Sequence, residues 1–171
     1  MKKTLIIALS CLVVLLAACK KPVEPTPEPV DYAPNYVGNY IGQFTLTINS
    51  MNNNAVSNMA FPIDGIVMDI AKGQEINAIT ATVTVENESH QTTGTTTAEK
   101  ADFGTVHLVI DKPDQNYYFN LDLMMEGKKA ESDTLNIIGT FSGNGNFTMP
   151  TGELILLSEV SGDVNGKLVK Q

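Results

Sequence analysis

Tyr117-Tyr118-Phe119-Asn120-Leu121-Asp122-Leu123-Met124-Met125-Glu126 alternates almost without fault. Tyr117, Phe119, Leu121, Leu123 and Met125 fall on one side of an extended chain, and Tyr118, Asn120, Asp122, Met124 and Glu126 on the other. Successive side chains of a strand point to opposite faces, so this decapeptide predicts a strand with one buried face. A helix would scatter the same apolar residues around its axis.

The same period of two recurs on both sides of it. Tyr36, Gly38, Tyr40, Gly42, Phe44, Leu46 and Ile48 share a face. Residues 51–58, rich in asparagine, read as a loop. Met59 to Ala71 predicts a second strand, with Pro62 and Asp64-Gly65 marking an edge, a bulge or a turn inside it. Lys72 to Glu75 turns the chain, and Ile79, Ala81, Val83 and Val85 alternate with threonines in a third strand. Ser89 to Lys100 is polar and threonine-rich, a long exposed hairpin or loop. Phe103 to Asp111 is a further strand, followed by a turn at 112–116.

Beyond the decapeptide, Gly127-Lys128-Lys129 predicts a turn. Thr134 to Phe141 alternates again, and Gly143-Asn144-Gly145-Asn146 carries strong hairpin-turn chemistry. Short strands at 147–149, 153–157 and 164–170 complete the set. No window in 36–171 shows a helical period. About eight strands joined by short turns pair with their sequence neighbours, because parallel pairing needs long crossovers. The expected fold is all-β: one antiparallel meander of about eight strands closing as a barrel, with a two-sheet β-sandwich as the alternative.

The amino terminus has a different character. Lys2 and Lys3 precede an apolar run from Leu5 to Ala18, the pattern of a secretory signal, too short for a spanning helix. Leu16-Ala17-Ala18-Cys19 resembles the lipobox of bacterial lipoproteins: an aliphatic residue, two small residues, then cysteine. That resemblance implies cleavage before Cys19, a lipid on its thiol and acylation of the new amino terminus. Two or more acyl chains anchor stably where one does not, at about 0.8 kcal/mol per buried CH₂. Lys20 to Pro34 then holds prolines at 22, 25, 27, 29 and 34, which favour extended polyproline II. At about 3.1 Å per residue this tether reaches up to roughly 45 Å. The organisation is a leader 1–18, a lipidated cysteine and tether 19–35, and a folded domain 36–171.

Composition narrows the partners. The chain has 11 Lys+Arg against 19 Asp+Glu, a net charge of −8, and no arginine. Loss of Lys2 and Lys3 with the leader leaves nine cations against 19 acids, or −10. Such a chain is unsuited to nucleic acid, whose phosphates need clustered cations. Cys11 and Cys19 are the two cysteines, so the folded domain holds no disulfide and depends on its core.

Tyr36-Val37-Gly38-Asn39-Tyr40 resembles the Gly-x-aromatic opening of calycin barrels, the lipocalin and avidin group. The chain is also similar to the lipocalin-like small lipoproteins common in Bacteroidetes. Tyr40 stands where lipocalins carry tryptophan, and no second motif matches. The resemblance implies a calycin-like barrel held at the outer membrane, periplasmic or surface-exposed. It carries over no ligand and no binding residue.

Few residues suggest chemistry. His90 and His107 are the two histidines, and no Gly-x-Ser-x-Gly elbow accompanies them. Glu86, Glu88 and His90 would share one face, and form a weak divalent-ion set, if the third strand continued that far. No catalytic residue, metal or cofactor is expected. Tyr36, Tyr40, Tyr117 and Phe119 are the candidates to line an apolar cavity, although inward aromatics also make ordinary core. Asp133-Thr134-Leu135 resembles a short O-glycosylation signal of Bacteroidetes secreted proteins, with Thr134 as acceptor. Asn87-Glu88-Ser89 and Asn146-Phe147-Thr148 are formal N-glycosylation sequons and read as coincidence in such a protein. The reading that follows is a non-enzymatic, lipid-anchored envelope protein that binds a small apolar ligand inside its barrel. The alternative is an accessory protein presenting its outer surface to an envelope partner or glycan.

Overall fold

The computed structural model describes residues 26–86, 88–131 and 133–171. The leader 1–18, Cys19 and the first residues of the tether lie outside the described residues. Eight strands build the domain: β1 Gly38–Met51, β2 Asn54–Lys72, β3 Ala78–Val85, β4 Glu88–Thr96, β5 Ala101–Lys112, β6 Tyr117–Glu131, β7 Thr134–Thr148 and β8 Leu154–Lys170. Each pairs antiparallel with the next, and β8 pairs back with β1 to close a barrel. The closing ladder runs from Tyr40 opposite Lys170 to Met51 opposite Val160 and rules out two separate sheets. Closure leaves no strand at the end of the sheet order.

Several local expectations give way to this ladder. The loop expected at 51–58 is a tight turn, Asn52-Asn53, with both residues left-handed at φ 49° and 64°. Asparagine tolerates that region, so β2 begins already at Asn54. The loop expected at 89–100 is mostly β4, missed because its inward side chains include the hydroxyls of buried Thr92 and Thr96. Gly127-Lys128-Lys129 does not turn. Gly127 pairs with Ile137 and Lys129 with Leu135, so β6 runs on to Glu131. Gly143 to Asn146 lies inside β7, paired on one side with Asn144↔Asn120 and Gly143↔Leu121. Neighbouring strands on both sides override its turn chemistry, leaving a register shift between Gly143 and Gly145 against β8. The separate strands expected at 153–157 and 164–170 are the single strand β8.

The Asp64-Gly65 pair is a bulge. Ile63 opposes Phe44 and Ile66 opposes Gly42, so two residues of β2 face one of β1, with Gly65 at φ 71°. Pro62 sits where β2 pairs with β1 and its pairs with β3 have not begun, since those run from Val67 to Lys72. A residue without an N–H costs nothing on such a free edge.

The up-and-down order separates two ends. The β2–β3, β4–β5 and β6–β7 turns lie at one end, beside the start of β1 and the finish of β8. This is the tether end, and residues 31–36 close it. Ala33–Asn35 forms one 3-10 turn, and Ala33 and Tyr36 are buried. Asp31 pins the segment: its carboxylate meets Lys72 Nζ at 2.5 Å and accepts from the Asn77 N–H at 3.1 Å. The Tyr32 N–H donates to Asn77 Oδ1 at 2.6 Å. The last residues assigned to the tether are therefore part of the folded unit. At the far end, Phe61 packs edge-on to Tyr117, Phe119 and Phe147, with ring centroids 5.3, 5.0 and 6.1 Å away.

Candidate functional site

The four aromatic residues expected to line one cavity do not share a site. Tyr36 and Tyr40 belong to the tether end, where the Tyr40 hydroxyl donates to the Tyr36 carbonyl at 3.0 Å. The Tyr36 hydroxyl donates to the Thr97 carbonyl at 3.4 Å. Tyr117 and Phe119 belong to the aromatic cluster at the far end. Burial pushes the phenols of Tyr36, Tyr40 and Tyr117 above the usual tyrosine range.

Between the two ends the barrel is filled. Phe44, Ile63, Ile66, Met68, Ala81, Val83, Leu108, Ile110, Leu123, Val164 and Leu168 all have 0% exposed surface. A hollow able to hold even one water would leave measurable surface on the side chains around it. Every strand but β4 supplies large apolar side chains to the interior. Interdigitated aliphatic and aromatic groups occupy the space where the apolar ligand was expected.

The polar candidates are also placed. Glu86 is left-handed at φ 58° and ends β3, so it does not continue a face with Glu88 and His90. It pairs instead with Lys112. His90 Nε2 lies 3.8 Å from Glu88 Oε2, beyond hydrogen-bond reach, and the His90 and His107 ring centroids are 6.1 Å apart. His107 Nδ1 lies 2.9 Å from Asp122 Oδ1 across the β5–β6 ladder. Among the described residues, no group of three or more His, Cys, Asp or Glu is arranged to hold a metal ion. Thr134 opens β7, half-buried and opposite Glu131 and Val169.

An open hollow lies on the outside. It is an open trough of about 750 Å³ across the outer wall of β5 to β8, lined among others by Asp102, Thr105, Met124, Ile138, Asp163 and Asn165. A bulge creates its β5 bank: Phe103 opposes Met125 and Val106 opposes Leu123, so Gly104 and Thr105 together face Met124. Met124 is 62% exposed and Ile138 39%, both on the outward face of otherwise regular strands. A second hollow of about 300 Å³, reaching Thr93 and Thr95 of β4, shares Asp102, Phe103 and Gly104 with the first.

The trough is acidic and partly clamped. Lys100 Nζ lies 2.8 Å from Asp102 Oδ1 and 2.6 Å from Glu126 Oε2, and Lys128 Nζ lies 2.9 Å from Glu126 Oε1. The Asp102 and Glu126 carboxylates hold the Lys100 ammonium well above the usual lysine range. Lys100 and then Lys128 hold the Glu126 carboxyl below its usual range. Asp163 Oδ2 accepts from Asn49 Nδ2 at 2.8 Å. Sequence reasoning missed this place, yet a signal was there. Met124 beside Met125, and Ile138 beside Ile137, put an apolar residue where strict alternation calls for a polar one.

No protein-family model matches the chain, and no curated protein matches it. Among solved structures, that of a redesigned beta barrel is similar, with a TM-score of 0.45 at 12% identity over 81% of this chain and 94% of that one.

Proposed function

We propose that this chain is a lipid-anchored, non-enzymatic protein of the bacterial cell envelope, held at the outer membrane through Cys19, that engages an envelope partner with the outer wall of a calycin-like barrel. The observation that carries this reading is the pairing of a filled interior with an open trough outside. An apolar ligand inside would have to displace core rings and aliphatic groups, each costing about 2–5 kcal/mol when its packing is lost. An outer partner displaces only water. The plug at 31–36 supports the orientation: the described chain enters the barrel at this end, opposite the far-end hairpins. Thr134, as a glycan acceptor, would sit at the tether end of β7.

Two measurements test this. Cys19→Ala should move the protein from the membrane pellet to the aqueous extract; equal retention refutes the anchor. Native mass spectrometry of protein released from the envelope should show the polypeptide mass without a stoichiometric apolar passenger. A retained passenger would restore the interior ligand and overturn the outer-wall reading.

A further inference from the structure

We propose that the trough on β4 to β8 binds an extended peptide segment of about six residues in which lysine or arginine alternates with apolar side chains. The proposal rests on the outer-wall reading above and adds the chemistry of the partner.

Length comes first. The two hollows meet at Asp102, Phe103 and Gly104 and together run from Thr93 on β4 to Asn165 on β8. Five strands at about 4.8 Å spacing span about 19 Å, which is the length of about six extended residues at roughly 3.3 Å each. An open furrow of that length suits a chain laid across it. A compact small molecule is normally enclosed over most of its surface, and this furrow encloses little.

Charge decides the sign of the partner. Asp102, Glu126 and Asp163 line the trough, and among the described residues no lysine does. Lys100 and Lys128 reach it only from the side, where they are spent on Asp102 and Glu126. Asp122 lies just beyond Met124 on β6, paired with His107. Three carboxylates against two lysines leave one net negative charge, placed at Asp163, which attracts a cation and repels an acidic segment. The floor supplies the rest. Met124 and Ile138 offer exposed apolar surface between the carboxylate banks, and the thioether of Met124 adapts to varied contacts. Apolar floor and acidic banks together call for a segment that alternates the two characters, as an extended chain does by geometry.

A glycan is disfavoured by the same inventory. Sugar rings stack on exposed aromatic faces, and the aromatic residue at the trough, Phe103, is 5% exposed and turned into the core. Strand addition is disfavoured too, because β6 and β7 are laddered on both sides along the floor. Recognition runs through side chains.

The experiment uses the full chain in nanodiscs of neutral lipid, with empty nanodiscs as reference. The probe is the synthetic peptide acetyl-Val-Lys-Leu-Lys-Val-Leu-amide, with its Glu-for-Lys counterpart as control. Calorimetry should show the lysine peptide binding and the glutamate peptide not. Added salt should weaken binding, since screening within about 8 Å sets in at 0.15 M. Asp163→Lys and Met124→Lys, both at exposed positions, should each weaken binding by about tenfold, as a like charge replaces an attractive or neutral surface. Equal binding of both peptides, or binding indifferent to both substitutions, overturns the proposal. So does a dimer in sedimentation that Met124→Lys dissolves, because the occupant would then be a second copy. Photo-cross-linkers at Thr140 in the trough and at Leu156 outside it separate the two levels of the argument. Envelope adducts at Thr140 that the lysine peptide competes away support the trough. Adducts at Leu156 alone refute it and leave the outer-wall reading standing, and adducts at neither position refute both.

Discussion

Gly42→Ala should loosen the ladder that closes the barrel. Gly42 faces inward on β1, opposite Leu168 of β8. A Cβ built there meets the Lys167 carbonyl oxygen at 2.0 Å and the Leu168 Cα at 3.0 Å, where ordinary contact begins at 3.4 Å. The obstacle is backbone, so no rotamer change relieves it. Moving the oxygen to contact distance means opening β1 from β8 by more than an ångström. That stretches the ladder bonds on either side, which contribute about 1 kcal/mol each. Adding the overpacking cost of about 1–3 kcal/mol gives a loss of roughly 3–5 kcal/mol, a large share of the ~5–15 kcal/mol that holds a domain together. Urea denaturation followed by circular dichroism reads this as a lower midpoint at unchanged slope. Gly152→Ala is the control. Gly152 is also conformationally special, at φ 87°, but its added Cβ meets nothing within 4 Å. Its cost should stop at the left-handed penalty, about 1–2 kcal/mol. If Gly42→Ala costs no more than Gly152→Ala, close backbone approach at Gly42 is not what closes the barrel.

Other consequences are open to measurement. Asn52 lends its side chain to the edge of β8: Nδ2 donates to the Leu156 carbonyl at 3.0 Å, and Oδ1 accepts from the Ser158 N–H at 2.8 Å and the Glu159 N–H at 3.3 Å. Asn52→Ala should cost about 1–3 kcal/mol in a thermal melt, and Asn52→Gly less, since glycine keeps the left-handed backbone while losing the bonds. Asp31 is held below the usual carboxylate range, first by Lys72 and then by the Asn77 N–H. A depressed carboxylate stabilises the fold above its unfolded value near pH 4 and loses that contribution as pH falls through its native value. Limited proteolysis below about pH 4 should therefore cut first near residues 31–36, and Asp31→Asn should bring that cutting to neutral pH. Tyr36, Tyr40 and Tyr117 have raised values, so their contribution is intact below about pH 10 and is lost as pH rises through the native values. Ultraviolet absorbance should show a late tyrosinate step coincident with unfolding. β4 and β5 share only the pairs Gly94–Thr96 with Ala101–Phe103, so amides of 104–112 on β5 and 88–93 on β4 that face each other should exchange faster than those between β7 and β8.

The sequence carried the architecture because inward positions of a closed meander repeat every second residue, and a one-residue slip would turn the whole face outward. Tyr117 to Met125 and Ile79 to Val85 follow that rule, and burial alternates along them. Misreadings arose where local chemistry and the ladder disagree. Gly143-Asn144-Gly145-Asn146 looks like a hairpin turn because the information that defeats it lies in Tyr118 to Leu121, over twenty residues away. β4 looked like a loop because threonine fits a pleated surface and also fits a turn. The trough was legible only as a fault in the alternation at Met124 and Ile138, and its carboxylates come from Asp102, Glu126 and Asp163, which only the closed ladder brings to one wall.

The placement of apolar surface bears on function for the same reason. A barrel that held a ligand would leave open surface on its inward side chains, whatever their type. Here the inward positions hold Tyr40, Phe44, Met68, Leu108 and Phe119, none above 1% exposed, while Met124 and Ile138 stand outside between acidic banks. Outward apolar side chains gain nothing for folding, since they stay in water whether the chain is folded or not. Their stabilising value is realised only when something covers them. Met124→Lys should accordingly leave the urea midpoint within about 0.5 kcal/mol of wild type, as surface changes do. A large loss of stability would show instead that Met124 is already covered by its own chain, and the outer wall would lose its claim as the working surface.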